Sequence, residues 1–182
     1  MTNELAPTEL VETDALPHFG HPDAGLVLIS EWSTQDAERQ RFVMDTVVDV
    51  WAQAELPDTF LARHCLAGSD GRTILNYAQW ADSGSHLAFS ADPANQLAIA
   101  GPIRPLITVG PPGRYTHGRV VRLRDAPIRS LSTAPSEDGV AQYVHRAADG
   151  RSVHVLTAHE DEGDGTALRF RPYRGVVRGA AR

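Results

Sequence analysis

The chain has 182 residues, enough for one ample hydrophobic core or for one domain with a substantial extension. Hydrophobic residues make up 42% of it, and no apolar run approaches the ~20 residues that a membrane-spanning helix needs. The acidic start lacks the basic and then apolar order of a secretory signal. The single cysteine, Cys65, excludes an internal disulfide and fits a reducing compartment. We therefore expect a cytoplasmic protein that does not bind membranes.

The formal net charge of -6 is unevenly divided along the chain. Residues 1–113 carry 5 arginines and 15 acidic residues, whereas residues 114–182 carry 12 arginines and 8 acidic residues. A basic segment can bind nucleic acid. Here the arginines are interspersed with acidic and strand-forming residues, which indicates solvated strand faces or a subunit interface instead. We expect no nucleic-acid partner.

The first 24 residues mix proline, acidic and small residues without a sustained period. This composition predicts an extended or partly disordered arm over residues 1–24. His18 and His21 stand three residues apart, a spacing that two metal ligands on a helix could use. Neighbouring Pro and Gly residues break any helix there, so a surface loop is expected. The first strand is predicted over residues 26–32, which are almost wholly apolar.

An amphipathic helix is predicted after this strand. Ser33 with Asp36 fits the capping-box pattern of a helix start. Apolar residues then recur at spacings of three and four up to the segment before Pro57, which predicts about five helical turns covering a sheet. Trp51 lies near the end of this helix, where it either fills the core or forms the wall of a pocket.

A hairpin follows the helix. Residues 59–67 alternate well enough for a strand, and Ser69-Asp70-Gly71 supplies a turn into a second strand over residues 72–80. Successive side chains of a strand point to opposite faces. An unpaired buried amide costs roughly 1 to 3 kcal/mol, so Asn76 needs either a structural partner or a ligand. One face of the second strand carries Ile74, Asn76, Ala78 and Trp80.

Two short helical pieces are predicted after the hairpin. Asp82 or Ser83 caps the first piece, which runs through Phe89. Strand, helix, hairpin and helix in this order predict an α+β, ferredoxin-like domain over residues 25–110. The expected ranges are 94–100 for the second helical piece and 106–109 or 115–123 for the strand that completes the domain.

The Gly-Pro-Pro-Gly run at residues 110–113 is the strongest punctuation in the chain and marks a candidate boundary. Beyond it, residues 111–182 predict a β-rich extension without a convincing helix. Its strand-like runs are residues 115–123, 140–146, 152–159 and 167–177.

The extension contains a possible internal repeat of the first hairpin. The stretch from Ala141 aligns without gaps on the stretch from Ala62, sharing Ala, Asp-Gly-Arg and an apolar strand. It has Val155 in place of Asn76, so any chemistry of the first copy would be lost. A degenerate repeat and two hairpins that independently use the same turn explain this match equally well.

The segment NYAQW resembles the antibiotic biosynthesis monooxygenase family, through its N-x-x-x-W core, the Asp-Gly turn before it and the short apolar helix after it. The resemblance covers residues 26–110 and implies a ferredoxin-like fold that dimerises into a shared α+β barrel. The best-understood members oxidise polycyclic phenols or anthrones to quinones with molecular oxygen, without metal, flavin or haem. The chain is therefore expected to be a homodimer that needs no cofactor and acts on a small aromatic polyketide.

The resemblance also assigns catalytic roles. Asn76 would donate its side-chain N–H to a substrate oxygen as negative charge grows, and Trp80 would pack on the flat substrate. His86 lies where some members have a Tyr proton relay, and it could transfer protons at neutral pH. The Arg that the family has after this helix lacks an exact counterpart. The residues assigned to substrate binding are Trp32, Trp51, Phe89 and Arg104.

Each assignment has a structural alternative. Asn76 could bond a neighbouring strand, Trp80 could be part of the core, and His86 could be a half-exposed helix residue. Haem-degrading relatives offer a second enzyme reading of the fold, ranked lower because the first strand presents Ser30 where they have an Asn. A polyketide cyclase and a non-catalytic ligand-binding dimer also remain open. No metal site is expected, because the later histidines lack ligand-like spacing.

Overall fold

The computed structural model describes residues 9–110 and 112–179, which contain ten strands, three α-helices and one 3-10 helix. The helices are α1 (Ala37–Gln53), α2 (Ser83–Ala91), α3 (Pro93–Ala100) and the 3-10 turn Arg104–Leu106. The strands are β1 (Leu10–Thr13), β2 (Leu26–Ser33), β3 (Phe60–Gly68), β4 (Thr73–Trp80), β5 (Thr108–Val109), β6 (Gly113–Arg122), β7 (Ser130–Ser132), β8 (Ala141–Ala147), β9 (Val153–His159) and β10 (Phe170–Arg178). None of these helices is long and apolar enough to cross a membrane.

Eight of the strands form a closed antiparallel barrel. Their spatial order is β10-β3-β4-β2-β6-β8-β9-β7, and β7 closes the ring by pairing with β10 at Leu131 and Phe170. β1 adds to the edge of β10, and the two residues of β5 pair with the end of β2. The α+β class predicted from the sequence is confirmed, and the barrel expected from the resemblance is present.

The barrel differs from the expected one in the origin of its second sheet. β2, β3, β4 and β6 lie in the order second, third, first, fourth, and β7 to β10 repeat that order in the same chain. β6 therefore pairs with β8, and β10 pairs with β3, where a partner's sheet was expected. The reason is that the segment after residue 110 supplies five strands: β6, which completes the first sheet, and β7 to β10, which form the second. The homodimer itself stays a prediction, as do the domain boundary and the repeat.

Both segments that were predicted as the strand completing the first sheet form strands that pair with β2. β5 pairs with β2 at Trp32, and β6 pairs with β2 between Val27 and Ile29. β7 was not predicted, because three residues are too few to show an alternating pattern. No helix is found among residues 112–179, as the sequence predicts.

Side chains on opposite faces of β4 enter two separate cores. Ile74 and Trp80 join the cluster beneath α1, whereas Leu75 and Tyr77 join the cluster that fills the barrel. The alternation predicted from the sequence is thereby confirmed. The face that carries Asn76 is the outer face of the sheet, toward the helices.

Local signals position the helices and the hairpin. The N-cap of α1 is Asp36, not Ser33, and its carboxylate accepts a hydrogen bond from the Arg39 amide at 2.8 Å. Asp82 caps α2 in the same way. Gly71 takes a φ of +69°, which glycine adopts without steric penalty, and this tight turn sets the β3–β4 register.

The N-terminal arm packs against the barrel as far as it is described. Residues 1–8 of the predicted arm lie outside the described part. β1 pairs with β10, and Phe19 is buried inside the barrel, stacked on Tyr143 at a centroid distance of 4.0 Å. Because this ring completes the inner core, the arm is an integral part of the barrel.

Arg174 links α1 to the barrel through ion pairs. Its guanidinium on β10 donates to Asp45 and Asp49 of α1, both at 2.9 Å, and to Glu12 of β1 at 2.7 Å. These contacts and the apolar face of α1 fix the helix over the outer face of the sheet, where it forms one side of the cavity described below.

Two buried histidines should make stability depend on pH. His64 and His145 are each less than 5% exposed, and burial lowers the pKa of both imidazoles from 6.5 to about 4. The unfolded chain therefore binds more protons than the folded one between these values, so stability falls as the pH drops from 6.5 toward 4. We expect the free energy of unfolding to decrease by about 2 kcal/mol per histidine between pH 7 and pH 5.

Urea unfolding at the two pH values measures this effect, and His145→Gln should reduce the difference. Equal stability at pH 7 and pH 5 would contradict the prediction.

Candidate functional site

A cavity of about 500 Å³ lies between the outer face of the first sheet and the helices. Its size is within the range of small-molecule sites. Six of the seven residues predicted for the site contribute to its wall: Trp32, Trp51, Trp80, His86, Phe89 and Arg104. The other lining residues are Leu28, Arg63, Ser90, Gln96, Ile99, Ala100, Ile103, Ile107, Val109 and Pro112.

Aromatic rings form one wall of this cavity. Phe89 lies 5.3 Å from Trp80 and 6.0 Å from Trp51, measured between ring centroids. Trp80 and Trp51 meet edge to face at 6.5 Å, a favourable arrangement of ring quadrupoles. β4 positions Trp80 and the last turn of α1 positions Trp51, so sheet and helix each supply one ring. Such a wall suits a flat apolar ligand.

Arg63 is a functional candidate that the sequence reasoning missed. It lies on β3, and its guanidinium carbon is 4.5 Å from the centroid of Trp51 and 5.4 Å from that of Trp32. Burial lowers the pKa of Arg63, but an arginine side chain stays protonated at neutral pH. The half-buried cation is therefore held between two indoles at the edge of the cavity.

This cation has no counter-ion among the described residues. Within residues 9–110 and 112–179, no carboxylate lies within 4.0 Å of Arg63, and none of the cavity-lining residues is acidic. Its Nε also lacks a hydrogen-bond partner. A desolvated charge without a partner lowers the stability of the protein unless a ligand of opposite charge pairs with it. The site is thus electrostatically prepared for an anion.

Asn76 lies behind the cavity wall instead of forming part of it. Its Oδ1 accepts hydrogen bonds from Arg63 Nη2 at 3.3 Å and from Cys65 Sγ at 3.6 Å. Its Nδ2 is buried and has no partner in the described part of the chain. The β3–β4 register explains the cluster, because Cys65 pairs with Asn76 and Arg63 with the next outward residue, Ala78.

Trp80 shares this lack of a partner. Its ring is fully buried between Phe60, Phe89 and His86, yet its Nε1 donates to no described group. An indole N–H that is buried usually finds an acceptor. Arg63 Nε, Asn76 Nδ2 and Trp80 Nε1 are therefore three donors on this sheet face that have no acceptor among the described residues.

His86 is held by an arginine of β6, the strand at the edge of the first sheet. Arg114 of β6 donates through Nη1 to His86 Nδ1 at 3.1 Å and through Nη2 to Ser83 Oγ at 2.7 Å. The imidazole packs edge to face on Trp80 at 5.1 Å. Burial, then the positive charges of Arg114 and Arg63, lower the pKa of His86 to about 4. His86 is therefore neutral at pH 7, which makes it a weak base.

Arg104 lies at the rim of the cavity, on the 3-10 turn that follows α3, and its side chain is exposed. Arg63 and Arg114 were not foreseen. The alternation of ARHCLAG and the Asp-Gly turn would have placed Arg63 on the face of Asn76, so a signal for it exists. Arg114 gave no such signal, since its contact with α2 depends on the pairing of β6 with β2.

The site does not fit haem ligation by His86. To bind iron through Nε2, an imidazole must carry its proton on Nδ1, where Arg114 already donates a hydrogen bond. Among the described residues, no group of three or more His, Cys, Asp or Glu side chains could hold a metal ion. His18 and His21 are in ring contact at a centroid distance of 5.4 Å, and neither lines this cavity.

Comparisons with known proteins place the fold. No family model matches the sequence, and no curated protein is similar to it. An anthrone oxidase-like protein of known structure is similar with a TM-score of 0.61 and 10% identity, over 86% of this chain and 92% of that one. A monooxygenase from the ActVA-Orf6 gene of Streptomyces coelicolor, solved with nanaomycin D, has a TM-score of 0.45 and 24% identity, over 66% of this chain and 100% of that one. The chain therefore has the fold of the anthrone oxidase-like protein.

Proposed function

We propose that the chain is a cofactor-independent monooxygenase that binds an aromatic polyketide, an anthrone or a phenol, as its anion and oxidises it with molecular oxygen. The observation that carries this proposal is the unpaired cation of Arg63 beside an aromatic cavity. A phenolate or enolate of a flat ring system would supply the negative charge that pairs with Arg63. Its ring surface would stack on the aromatic wall of the cavity.

The reaction balances without a further reactant. An anthrone carries a CH₂ group opposite its carbonyl, and loss of one proton gives an electron-rich enolate. The enolate transfers an electron to oxygen, and the resulting pair combines to form a carbon–oxygen bond. Loss of water from the peroxide leaves the quinone, so one oxygen atom enters the product and the other leaves as water.

The residues of the cavity supply charge stabilisation and orientation. Arg63 stabilises the oxyanion of the substrate, and Asn76 orients the guanidinium through its Oδ1. Trp80 and Phe89 hold the ring system flat against the sheet. The cavity-lining residues include no carboxylate, so the proton of the substrate passes to water.

The shared fold with the anthrone oxidase-like protein supports this reading, since that protein's name refers to the same substrate class. The NYAQW motif supports it independently from the sequence. A homodimer and a cytoplasmic location belong to the proposal as predictions.

Oxygen consumption tests the proposed function. Dialysed protein is mixed with an anthrone in an oxygen-electrode cell, and wild type is compared with Asn76→Ala and Trp80→Phe. We expect uptake in the wild type and a reduction of at least about tenfold in each variant, the loss expected for one oriented charge-stabilising contact. Arg171→Met serves as the matched control, because this exposed arginine pairs with Glu162 away from the cavity.

Uptake no faster than in buffer would refute the oxygenase. A ligand-binding protein for aromatic anions is then the second candidate. It is favoured over a cyclase because His86, with its low pKa, leaves the cavity without an effective base. Tight binding without turnover would support it.

A further inference from the structure

Arg114 connects the barrel to the helix that carries His86. The arginine lies on β6, at the residue paired with Leu28 of β2. One of its terminal nitrogens contacts His86 Nδ1 and the other contacts Ser83 Oγ, one helical turn earlier on α2. Two contacts from one planar group to one helix fix both the helix and the ring.

The contact with His86 determines which ring nitrogen carries the proton. A guanidinium has five N–H donors and no acceptor. His86 Nδ1 must therefore contribute the lone pair in this hydrogen bond, and the proton of the neutral ring is on Nε2. No described group forms a hydrogen bond with Nε2, and His86 is part of the cavity wall.

We infer that Arg114 is a positioning residue that locks His86 as its Nε2–H tautomer, so that His86 presents the ligand with a hydrogen-bond donor and not with a base. This role differs from the proton transfer that the resemblance implies for His86. The part of the inference that concerns the ligand rests on the proposed function, whereas the tautomer can be observed in the protein alone.

The charges around His86 agree with this role. Arg114 from β6 and Arg63 from β3 both oppose protonation of the ring, and Trp80 from β4 is neutral. Asp82 caps the N-terminus of this helix, and its carboxylate accepts hydrogen bonds from the amide and hydroxyl of Ser85. The neutral ring is therefore maintained well below neutral pH.

A donor at this place complements the other groups of the site. Arg63 and His86 Nε2 would together offer N–H groups to a ligand and no lone pair. A ligand with two neighbouring oxygen acceptors, one of them ionised, satisfies such a set. A ligand that must donate a hydrogen bond finds no partner in these two side chains. They favour an oxygen-rich anion such as a hydroxyanthrone enolate.

Nitrogen-edited long-range proton spectra of the histidine side chains test the tautomer in ligand-free protein. His86→Gln identifies the signal of His86 by its loss. In the wild type between pH 5.5 and 7 we expect a protonated Nε2 and an unprotonated Nδ1. In Arg114→Met we expect a mixture of tautomers, and a His86 pKa that rises toward 6.5 but stays below it, because burial, the larger cause of the shift, persists.

The controls separate positioning from simple packing. Arg114→Lys keeps a cationic donor and should preserve the Nε2–H tautomer. Arg146→Met removes an exposed arginine of β8 and should leave the spectrum of His86 unchanged. An Nδ1–H tautomer in the wild type, or a tautomer that does not respond to Arg114→Met, would overturn the inference whatever the outcome of the oxygen assay.

Turnover distinguishes a donor from a base. Gln carries an amide N–H near the place of Nε2 but has no basic nitrogen. If His86 is a donor, His86→Gln retains most of the wild-type kcat/KM for anthrone oxidation, and His86→Leu loses about tenfold or more. Equal losses in both variants would show that His86 acts as a base, against the inference.

Discussion

Replacement of Arg63 by Met should weaken the binding of an aromatic anion by about 10- to 100-fold, because a hydrogen bond to a charged group contributes roughly 1.5 to 3 kcal/mol. The methionine retains an apolar side chain between Trp32 and Trp51, so the change removes mainly the charge. Alizarin is a suitable probe, since it is a flat hydroxyanthraquinone whose colour changes when its phenol ionises.

The colour reports a second quantity, the pKa of the bound phenol. A cation that prefers the phenolate lowers that pKa in the wild-type complex, and the shift should disappear in Arg63→Met. The stability of the variant should change little in comparison. Removal of an uncompensated half-buried charge is stabilising, whereas Asn76 Oδ1 keeps only the hydrogen bond from Cys65, which is destabilising. We therefore expect the free energy of unfolding to stay within about 1 kcal/mol of wild type. Unchanged alizarin affinity would show that Arg63 does not contact the ligand.

Exchange of Asn76 for Asp should abolish anion binding and increase stability together. The amide oxygen of Asn76 is 3.3 Å from Arg63 Nη2, so a carboxylate of the same shape would form an ion pair with the guanidinium. It would also remove the buried Nδ2 that lacks a partner. The site would then be neutral, and a second anion would be repelled from the place of the ligand.

The pH dependence of this variant has a defined sign. The pair with Arg63 would hold the pKa of the new carboxyl below the ordinary value of about 3.9. Its contribution to stability would therefore be complete above that value and lost as the pH falls through the lowered pKa. Thermal unfolding at pH 7 should show a higher Tm than wild type, and alizarin binding should be undetectable.

The double variant Arg63→Met with Asn76→Asp is the control for the pair. Without the guanidinium the carboxylate would be buried and alone, so the double variant should be less stable than either single one, with a coupling of about 1 kcal/mol or more. If Asn76→Asp alone destabilises the protein and leaves alizarin binding intact, the two side chains do not form the anion site.

Local patterns in the sequence predicted the face of the sheet on which the site lies. The Asp70-Gly71 turn sets the hairpin register, and the alternation of β4 puts Trp80 and Asn76 toward the helices. The motif drew attention to His86 because it lies one turn into a helix that starts beside the strand. These features depend on contacts between residues that are close in sequence. Such contacts produce an alternating or helical pattern of apolar residues that can be recognised in the sequence.

The other contacts of the site and the closure of the barrel depend on pairing between segments that are distant in sequence. Arg114 reaches His86 only because β6 lies beside β2, and nothing in the spacing of the two residues indicates this. Closure of the barrel depends on β10 returning to β3 across more than half of the chain. Asn76, which was expected to contact the substrate, does not line the cavity; its Oδ1 accepts a hydrogen bond from Arg63 of the neighbouring strand, which does line it.

The closed ring of strands has a consequence for stoichiometry. The sixteen residues that line the cavity all lie between Leu28 and Pro112, although α1 also packs against β10 of the second sheet. Because one contiguous part of the chain supplies these residues, we expect saturation at one ligand per chain.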